Sequence, residues 1–123
     1  MSDFVHLHVH SDFSLLDGAA SIPSLVAKAA ALGMKHLALT DHGNMFGALK
    51  FYKECKAQGV NPVVGSEFYM APDSRFDKAG SEKGNKYYHL VPLARDETGY
   101  RNLMKLSSYS FTEGFYYKPR IDE

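Results

Sequence analysis

Short apolar segments alternate with segments of helical periodicity, and this alternation constrains the fold more than any other feature. Strand-like apolar segments occupy residues 4–10, 36–40, 62–70 and 87–94. Helical segments lie between the first three, and a further one follows the fourth. Strands that alternate with helices of about 10 to 15 residues are typical of βαβ units, in which the strands run parallel. The sequence therefore predicts an α/β fold with a mostly parallel sheet.

The ends of the predicted helices carry residues that favour helix caps. Ser21 is a good N-cap, Pro23 is tolerated in the first turn, and Gly33 ends the first helix. Asn44 is predicted to cap the second helix, which ends at Gly59. The apolar stripe of this second helix consists of Met45, Ala48, Leu49, Tyr52 and Cys55. A third helix is predicted over residues 96–107.

The length leaves two architectures open. Four strands and three helices make about half of a (β/α) barrel, which typically takes ~250 residues. The 123 residues are therefore either a small complete α/β sandwich or the first half of a barrel from a longer protein. Residues 71–86 mix charges with Pro, Gly and Ser and predict an exposed loop. Residues 109–123 show no period that predicts a helix or a strand.

Composition excludes several classes of protein. The formal net charge is zero, so bulk electrostatics give no argument for binding to nucleic acid or to a membrane. A single cysteine, Cys55, excludes an internal disulfide framework and fits a reducing compartment. No apolar run reaches the ~20 residues of a membrane span, and the N-terminus lacks the features of a signal peptide. We expect a cytoplasmic protein.

Two histidines at the end of the first predicted strand are candidate metal ligands. His8 and His10 stand two residues apart, so their side chains share one face and can hold one metal ion. The strand ends at Ser11 and Asp12, which places the pair at the carboxyl end, where α/β folds build their sites. His6 shares the face one step deeper, and we expect it to be a buried, hydrogen-bonded histidine or a residue that supports the metal ligands.

Further imidazoles and carboxylates accompany the other predicted strands. His42 directly follows the second strand, and neighbouring Asp41 has the pattern of a turn residue. Glu67 and His89 lie within the third and fourth strands, and Asp17 precedes a glycine after the first. A carboxylate inside an apolar strand is costly to bury unless it is paired or bound to a metal. A parallel sheet would bring these groups side by side.

The donor types indicate the chemistry of such a cluster. Histidine and carboxylate ligands without cysteine suit zinc, manganese or iron. Six candidate ligands exceed the four of one tetrahedral ion and indicate two or three ions. Such a cluster activates water and holds a phosphate in phosphoester hydrolysis.

These segments resemble those of a known family. Residues 5–18 resemble the first motif of the PHP (polymerase and histidinol phosphatase) domain family, and residues 39–45 resemble its second motif. Residues 65–69, 88–91 and 113–122 resemble the N-terminal PHP domain of bacterial DNA polymerase III alpha subunits rather than stand-alone PHP phosphatases. The resemblance covers essentially the whole chain.

The resemblance implies a distorted (β/α)7 barrel with a metal cluster at the carboxyl ends of its strands. It implies two or three divalent transition metal ions, zinc or manganese, in the intact domain. The implied ligands are His8, His10, Asp17, His42, Glu67 and His89. Glu67 is implied to bridge the metals, and Glu67 and His10 are the implied catalytic residues. His89 stands near the start of its predicted strand, unlike the other ligands. Later family motifs, a His or Cys and then Asp-x-His, do not occur here, so residues 1–123 are expected to form the N-terminal part of the domain.

Three functions remain open from the sequence. In the first, the chain begins a replicative DNA polymerase, whose PHP domain acts as a metal-dependent 3′-5′ exonuclease or as a scaffold for proofreading. That protein would bind DNA, deoxynucleotides, the sliding clamp and a proofreading subunit, and this fragment alone would be inactive. The second is a stand-alone PHP phosphoesterase. The third is an interaction module in which His8 and His10 make only structural hydrogen bonds.

Overall fold

Helices and short strands alternate along the chain. The computed structural model describes residues 4–78 and 87–123. The helices are α1 (Ile22–Ala31), α2 (Ala48–Gln58) and α3 (Glu97–Thr112). The strands are β1 (His36–Leu39), β2 (Asn61–Val64), β3 (Phe68–Met70), β4 (Tyr88–Leu90) and β5 (Arg120–Ile121). The predicted α/β class is confirmed. None of these helices combines the length and the apolar character needed to span a bilayer.

A parallel βαβ unit forms the centre of the fold. Strands β1 and β2 pair in parallel, and α2 connects them. Helices α1 and α2 pack against each other, and their apolar faces cover this strand pair. The fully buried side chains of this core include Ile22, Val26, Phe51 and Cys55. Burial raises the pKa of the Cys55 thiol to about 11, so this group stays neutral at physiological pH.

The first predicted strand, residues 4–10, does not form a regular strand. Its backbone lies beside β1, where the carbonyls of His6 and Val9 accept hydrogen bonds from the amides of Ala38 at 3.0 Å and Thr40 at 2.8 Å. The amide of Val9 donates to Oγ1 of Thr40 at 2.9 Å. Because a side-chain hydroxyl takes the place of a backbone carbonyl, the regular ladder is interrupted.

The third predicted strand, residues 62–70, is divided into β2 and β3. The residues between them remain paired with the continuation of β1. The amide of Gly65 donates to the carbonyl of Leu39 at 3.0 Å, and the amide of Glu67 donates to that of Asp41 at 2.9 Å. His42 and Glu67 form an isolated parallel bridge. The pairing therefore carries Glu67 to the edge where His42 leaves the sheet.

Strand β4 runs antiparallel to β3, which corrects the expectation of a parallel fourth strand over residues 87–94. A parallel connection normally needs a crossover helix, and the described part of the connection, residues 71–78, contains no helix. Strand β5 pairs in parallel with the other edge of β3. It lies within residues 109–123, where no period predicted a helix or a strand.

The predictions for the helix ends are partly confirmed. The side chain of Ser21 accepts a hydrogen bond at the start of α1, and Gly59 ends α2 with a left-handed φ of 71°. Helix α2 begins later than predicted, because Asn44 accepts a hydrogen bond from Phe46 and forms a turn before the helix. Its N-cap is Gly47. The buried face consists of Ala48, Phe51 and Cys55, whereas the predicted stripe members Leu49 and Tyr52 are exposed. Helix α3 extends beyond the predicted end at residue 107.

Arg75 holds residues 71–78 of the predicted loop in place. The rest of that predicted loop, residues 79–86, lies outside the described ranges. Nε and Nη2 of Arg75 lie 2.8 and 2.6 Å from Oε2 of Glu113, and Nη1 lies 2.6 Å from Oδ1 of Asp122. The guanidinium of Arg120 is buried and donates to the carbonyls of Gly114, Arg75 and Asp77. These contacts tie residues 71–78 to the end of α3 and to β5.

The Arg75–Asp122 pair predicts acid sensitivity. Burial raises the pKa of Asp122, but the amide and guanidinium of Arg75 lower it further, to below the ordinary 3.8. A carboxyl with a lowered pKa in the folded state stabilises the fold above the ordinary pKa and loses that effect as the pH falls through the lowered one. We expect the free energy of unfolding of the full-length protein to fall below pH 3.8, and to fall less in Asp122→Asn. Urea denaturation across this range is the measurement, with exposed Asp73→Asn as the control. Identical slopes for Asp122→Asn and wild type would contradict this prediction.

Candidate metal centre

The six predicted ligands lie together at one edge of the sheet. We call them the six-residue cluster: His8, His10, Asp17, His42, Glu67 and His89. Their side chains lie at this edge because the segments that carry them pair side by side. These segments are residues 4–10, the end of β1 and the start of β3. The antiparallel direction of β4 places His89 opposite Tyr69, two residues after Glu67. This direction explains why a residue near the start of its strand joins the others.

Glu67 is the centre of the cluster. Its side chain is only 3% exposed, and its Oε2 lies 2.8 Å from Nε2 of His8, 2.5 Å from Nε2 of His10 and 3.4 Å from Nδ1 of His42. Its Oε1 lies 2.6 Å from Nδ1 of His89. Burial raises the pKa of the Glu67 carboxyl, but the hydrogen bonds with His8 and His10 lower it further, and the net pKa is below the ordinary value. The buried carboxylate is therefore held in its charged form.

Asp17 forms the exposed side of the cluster. Its Oδ2 lies 2.5 Å from Nδ1 of His10 and 2.9 Å from Nε2 of His42. The hydrogen bond with His10 is the largest cause of a pKa below the ordinary value for this carboxyl. His10 presents one ring nitrogen to Glu67 and the other to Asp17, so it connects the two carboxylates.

Asp41 has a structural role that its turn-like sequence pattern does not reveal. It is 2% exposed, and its carboxylate accepts hydrogen bonds from the amide and hydroxyl of Ser11 and from the hydroxyl of Ser14. The Ser14 hydroxyl also accepts a hydrogen bond from the amide of His42 at 3.0 Å. Asp41 therefore holds the loop after His10 against the segment that carries His42.

Two further aromatic side chains contact the cluster, and the sequence analysis did not select them. The hydroxyl of Tyr69 lies 3.5 Å from Nδ1 of His42, and the Tyr69 ring lies 5.4 Å from the ring of His89. Tyr87 stacks against His89 at a centroid distance of 5.9 Å. The alternation of strand residues was an available signal for Tyr69, which shares a face of β3 with Glu67. His6, predicted to be buried, is exposed and contacts the ring of Phe4 instead.

The donor atoms of the cluster fit divalent metal ions. Two groups of three donors each lie within 4.8 Å of one another, one formed by His8, His10 and Glu67 and the other by His10, Asp17 and His42. All donors are imidazole nitrogens or carboxylate oxygens, which suits zinc, manganese and iron. Several imidazoles converge on each carboxylate, an arrangement that otherwise needs a shared proton at every contact.

Sequence relatives of the chain are proteins named DNA polymerase III subunit alpha. The chain is 61% identical over 120 residues to the DNA polymerase III subunit alpha of Treponema pallidum. This alignment covers 98% of this chain and 10% of the relative. The chain is 58% identical over 122 residues to that of Borreliella burgdorferi, covering 99% of this chain and 11% of the relative. The chain therefore spans about a tenth of the length of these relatives.

Solved structures with a similar fold are larger. An amidohydrolase from Chromobacterium violaceum superposes on this chain with a TM-score of 0.57 at 24% identity. The superposition covers 85% of this chain and 34% of the amidohydrolase. A protein from Bifidobacterium adolescentis, described as a metal-dependent phosphoesterase, gives a TM-score of 0.53 at 19% identity. This superposition covers 87% of this chain and 33% of that protein. These likenesses support part of a barrel as the architecture. Residues 6–123 match the PHP domain family along nearly the whole chain, and the chain belongs to that family.

Proposed function

We propose that this chain is the N-terminal part of the PHP domain of a replicative DNA polymerase III alpha subunit. The observation that carries the proposal is the six-residue cluster, which occurs in a chain 61% identical to a protein named as that subunit. In this proposal the PHP domain continues beyond residue 123 and supplies the remaining metal ligands.

The six residues of the cluster would hold two or three divalent transition metal ions, zinc or manganese. Glu67 would bridge two of them, because its two oxygens face different histidines, His8 and His10 on one side and His89 on the other. Bound ions of this kind lower the pKa of water and neutralise the charge of phosphate oxygens. The Bifidobacterium adolescentis protein of similar fold is described as a metal-dependent phosphoesterase, which supports this assignment.

The reaction proposed for the cluster is hydrolysis of the 3′-terminal phosphodiester bond of a DNA strand. Glu67 and His10 are the proposed catalytic residues because they lie at the centre of the cluster, where Nε2 of His10 is 2.5 Å from Oε2 of Glu67. Buried Glu67 keeps its negative charge and opposes the positive charge gathered there. Asp41 fixes the loop after His10 and so positions the imidazole that contacts both carboxylates.

The proposal assigns the remaining activities to the full-length protein. It would act in the cytoplasm, extend primers with deoxynucleotides on a DNA template, and bind the sliding clamp and a proofreading subunit. The isolated chain would bind metal weakly and would not hydrolyse DNA, because it lacks the later ligands.

Metal removal tests the proposal. We expect the full-length protein to remove nucleotides from a 3′-labelled oligonucleotide, to lose this activity after dialysis against a chelator, and to regain it with zinc or manganese. Elemental analysis should find more than one transition metal ion per protein. Exonuclease activity that survives metal removal would contradict the proposal.

The same preparation distinguishes the other two functions. A stand-alone phosphoesterase would hydrolyse small phosphate esters and show no primer extension. An interaction module would contain only trace metal and would bind none on reconstitution.

A further inference from the structure

Lys118 lies beside the six-residue cluster. Its Nζ is 5.2 Å from the centre of the Tyr69 ring. The hydroxyl of Tyr69 lies 3.5 Å from Nδ1 of His42, which in turn lies 3.4 Å from Oε2 of Glu67. The ammonium group is therefore separated from the central carboxylate by one tyrosine and one histidine.

The backbone around Lys118 is held in a constrained turn. Tyr117 has a φ of 58°, in the left-handed region that residues other than glycine rarely adopt, and its side chain is 71% exposed. Since that side chain packs little, burial of Tyr117 does not account for the turn. The amide of Tyr116 donates to the carbonyl of Lys118 at 3.0 Å and closes it. Constrained backbone of this kind is often retained at functional sites.

The turn packs directly over the backbone next to His42. A Cβ on Gly43 would lie 3.0 Å from Cγ of Pro119 and 2.9 Å from the ring of Tyr69. Gly43 also has a φ of 57°. The absence of a side chain at Gly43 thus lets the Tyr117–Pro119 turn approach the cluster closely.

The charge of Lys118 has no acidic partner among residues 4–78 and 87–123. The arginines Arg75 and Arg101 pair with carboxylates, and Arg120 donates to backbone carbonyls. Lys118 is half-buried beside the cluster. Metal ions bound by the cluster would repel its ammonium group, and an anion between them would offset that repulsion. The arrangement suits a group with several charged oxygens.

We propose that Lys118, held against the Tyr69 ring, binds a non-bridging phosphate oxygen of the substrate phosphodiester at the six-residue cluster. This assignment rests on the proposed function and names the substrate contact of that same site. Lys118 contributes binding and takes no part in proton transfer.

Lys118→Gln and Lys118→Arg in the full-length protein test the assignment. For Lys118→Gln we expect KM on a 3′-labelled oligonucleotide and Ki for inorganic phosphate to rise by about tenfold or more, because a charge-assisted hydrogen bond is lost. We expect kcat and metal content to stay near the wild-type values, since the contact exists before and during the reaction. Lys118→Arg keeps the charge and should stay within about threefold of wild type.

The chain offers a matched control. Lys56 lies 5.6 Å from the centre of the Tyr52 ring on the exposed face of α2, so it makes the same type of contact away from the cluster. Lys56→Gln should change neither KM nor the affinity for phosphate. If loss of a lysine–tyrosine contact alone changed phosphate affinity, the two Gln variants would behave alike.

The outcomes separate this assignment from the proposed function. A wild-type protein without metal-dependent exonuclease activity would overturn the proposed function. Equal affinity of wild type and Lys118→Gln for inorganic phosphate, measured by isothermal titration, would overturn the assignment of Lys118 whether or not the protein is an exonuclease. Loss of metal from Lys118→Gln would also overturn it, because the residue would then maintain the site rather than bind substrate.

Discussion

Glu67→Gln in the full-length protein is expected to lower the rate of 3′-5′ exonuclease activity by roughly 100-fold or more. Glutamine is close to isosteric with glutamate, but it removes the negative charge that faces His8, His10 and His89. The buried carboxylate is the group on which the imidazoles converge, so its loss should also reduce metal content. Changes to groups that only support a metal ligand cost about 10- to 100-fold in metal affinity or activity, and a ligand should cost at least as much.

Two assays on one preparation separate loss of metal chemistry from loss of folding. Primer extension should persist, because in the proposed function the polymerase residues lie in a separate downstream domain. Glu97→Gln is a matched control, since Glu97 is 76% exposed and pairs with Arg101 on the same helix. This control should keep both activities. An unchanged exonuclease rate in Glu67→Gln would refute the catalytic role of the cluster.

The convergence of the cluster could be predicted because it depends on two local rules. Alternation along an extended chain places His8 and His10 on one face, and pairing side by side brings consecutive strand ends to one edge. Both rules survive in the structure although residues 4–10 are not a regular strand, because their backbone still runs beside β1. His42 and Glu67 meet for the same reason, through a parallel bridge.

The direction of β4 could not be derived from the composition of the strand itself. It depends on the connection from β3, whose described residues form no helix. The extent of β2 was also overestimated, because an apolar run predicts burial and does not show where pairing changes partner. The regular ladder with β1 ends at Val64, and Glu67 forms an isolated bridge with His42. Strand β3 then pairs with β4 and β5 instead.

The supporting residues escaped prediction because their roles depend on distant contacts. The pattern around Asp41 predicts a turn, and only the approach of Ser11 and Ser14, about 30 residues away, buries its carboxylate. The residues next to Tyr117 in the sequence do not predict its left-handed conformation. In the structure, this conformation occurs in the turn whose Pro119 packs over Gly43. Residues that hold a site in place are thus harder to recognise in a sequence than its ligands.

Asp41→Ala is expected to be the most destabilising single change near the cluster, lowering the free energy of unfolding of the full-length protein's PHP domain by about 3 kcal/mol. The substitution leaves three buried donors, the amide and hydroxyl of Ser11 and the hydroxyl of Ser14, without their acceptor. A buried donor that loses its partner costs about 1–3 kcal/mol, and rotation of the hydroxyls offsets part of the sum. Asp41→Asn keeps one acceptor oxygen and should cost about half as much.

Urea denaturation followed by hydrogen exchange of residues 11–14 is the measurement, because local release of this loop should appear there first. Asp12→Ala is the control, since Asp12 neighbours the same loop and is exposed. Metal affinity should fall with stability in Asp41→Ala, because the loop fixes His10 and the Ser14 hydroxyl holds the amide of His42. If Asp41 were itself a metal ligand, Asp41→Asn would lose metal as completely as Glu67→Gln while keeping its stability. If Asp41 has a structural role, metal affinity and stability should fall together. An Asp41→Ala variant as stable as wild type would therefore refute the structural role.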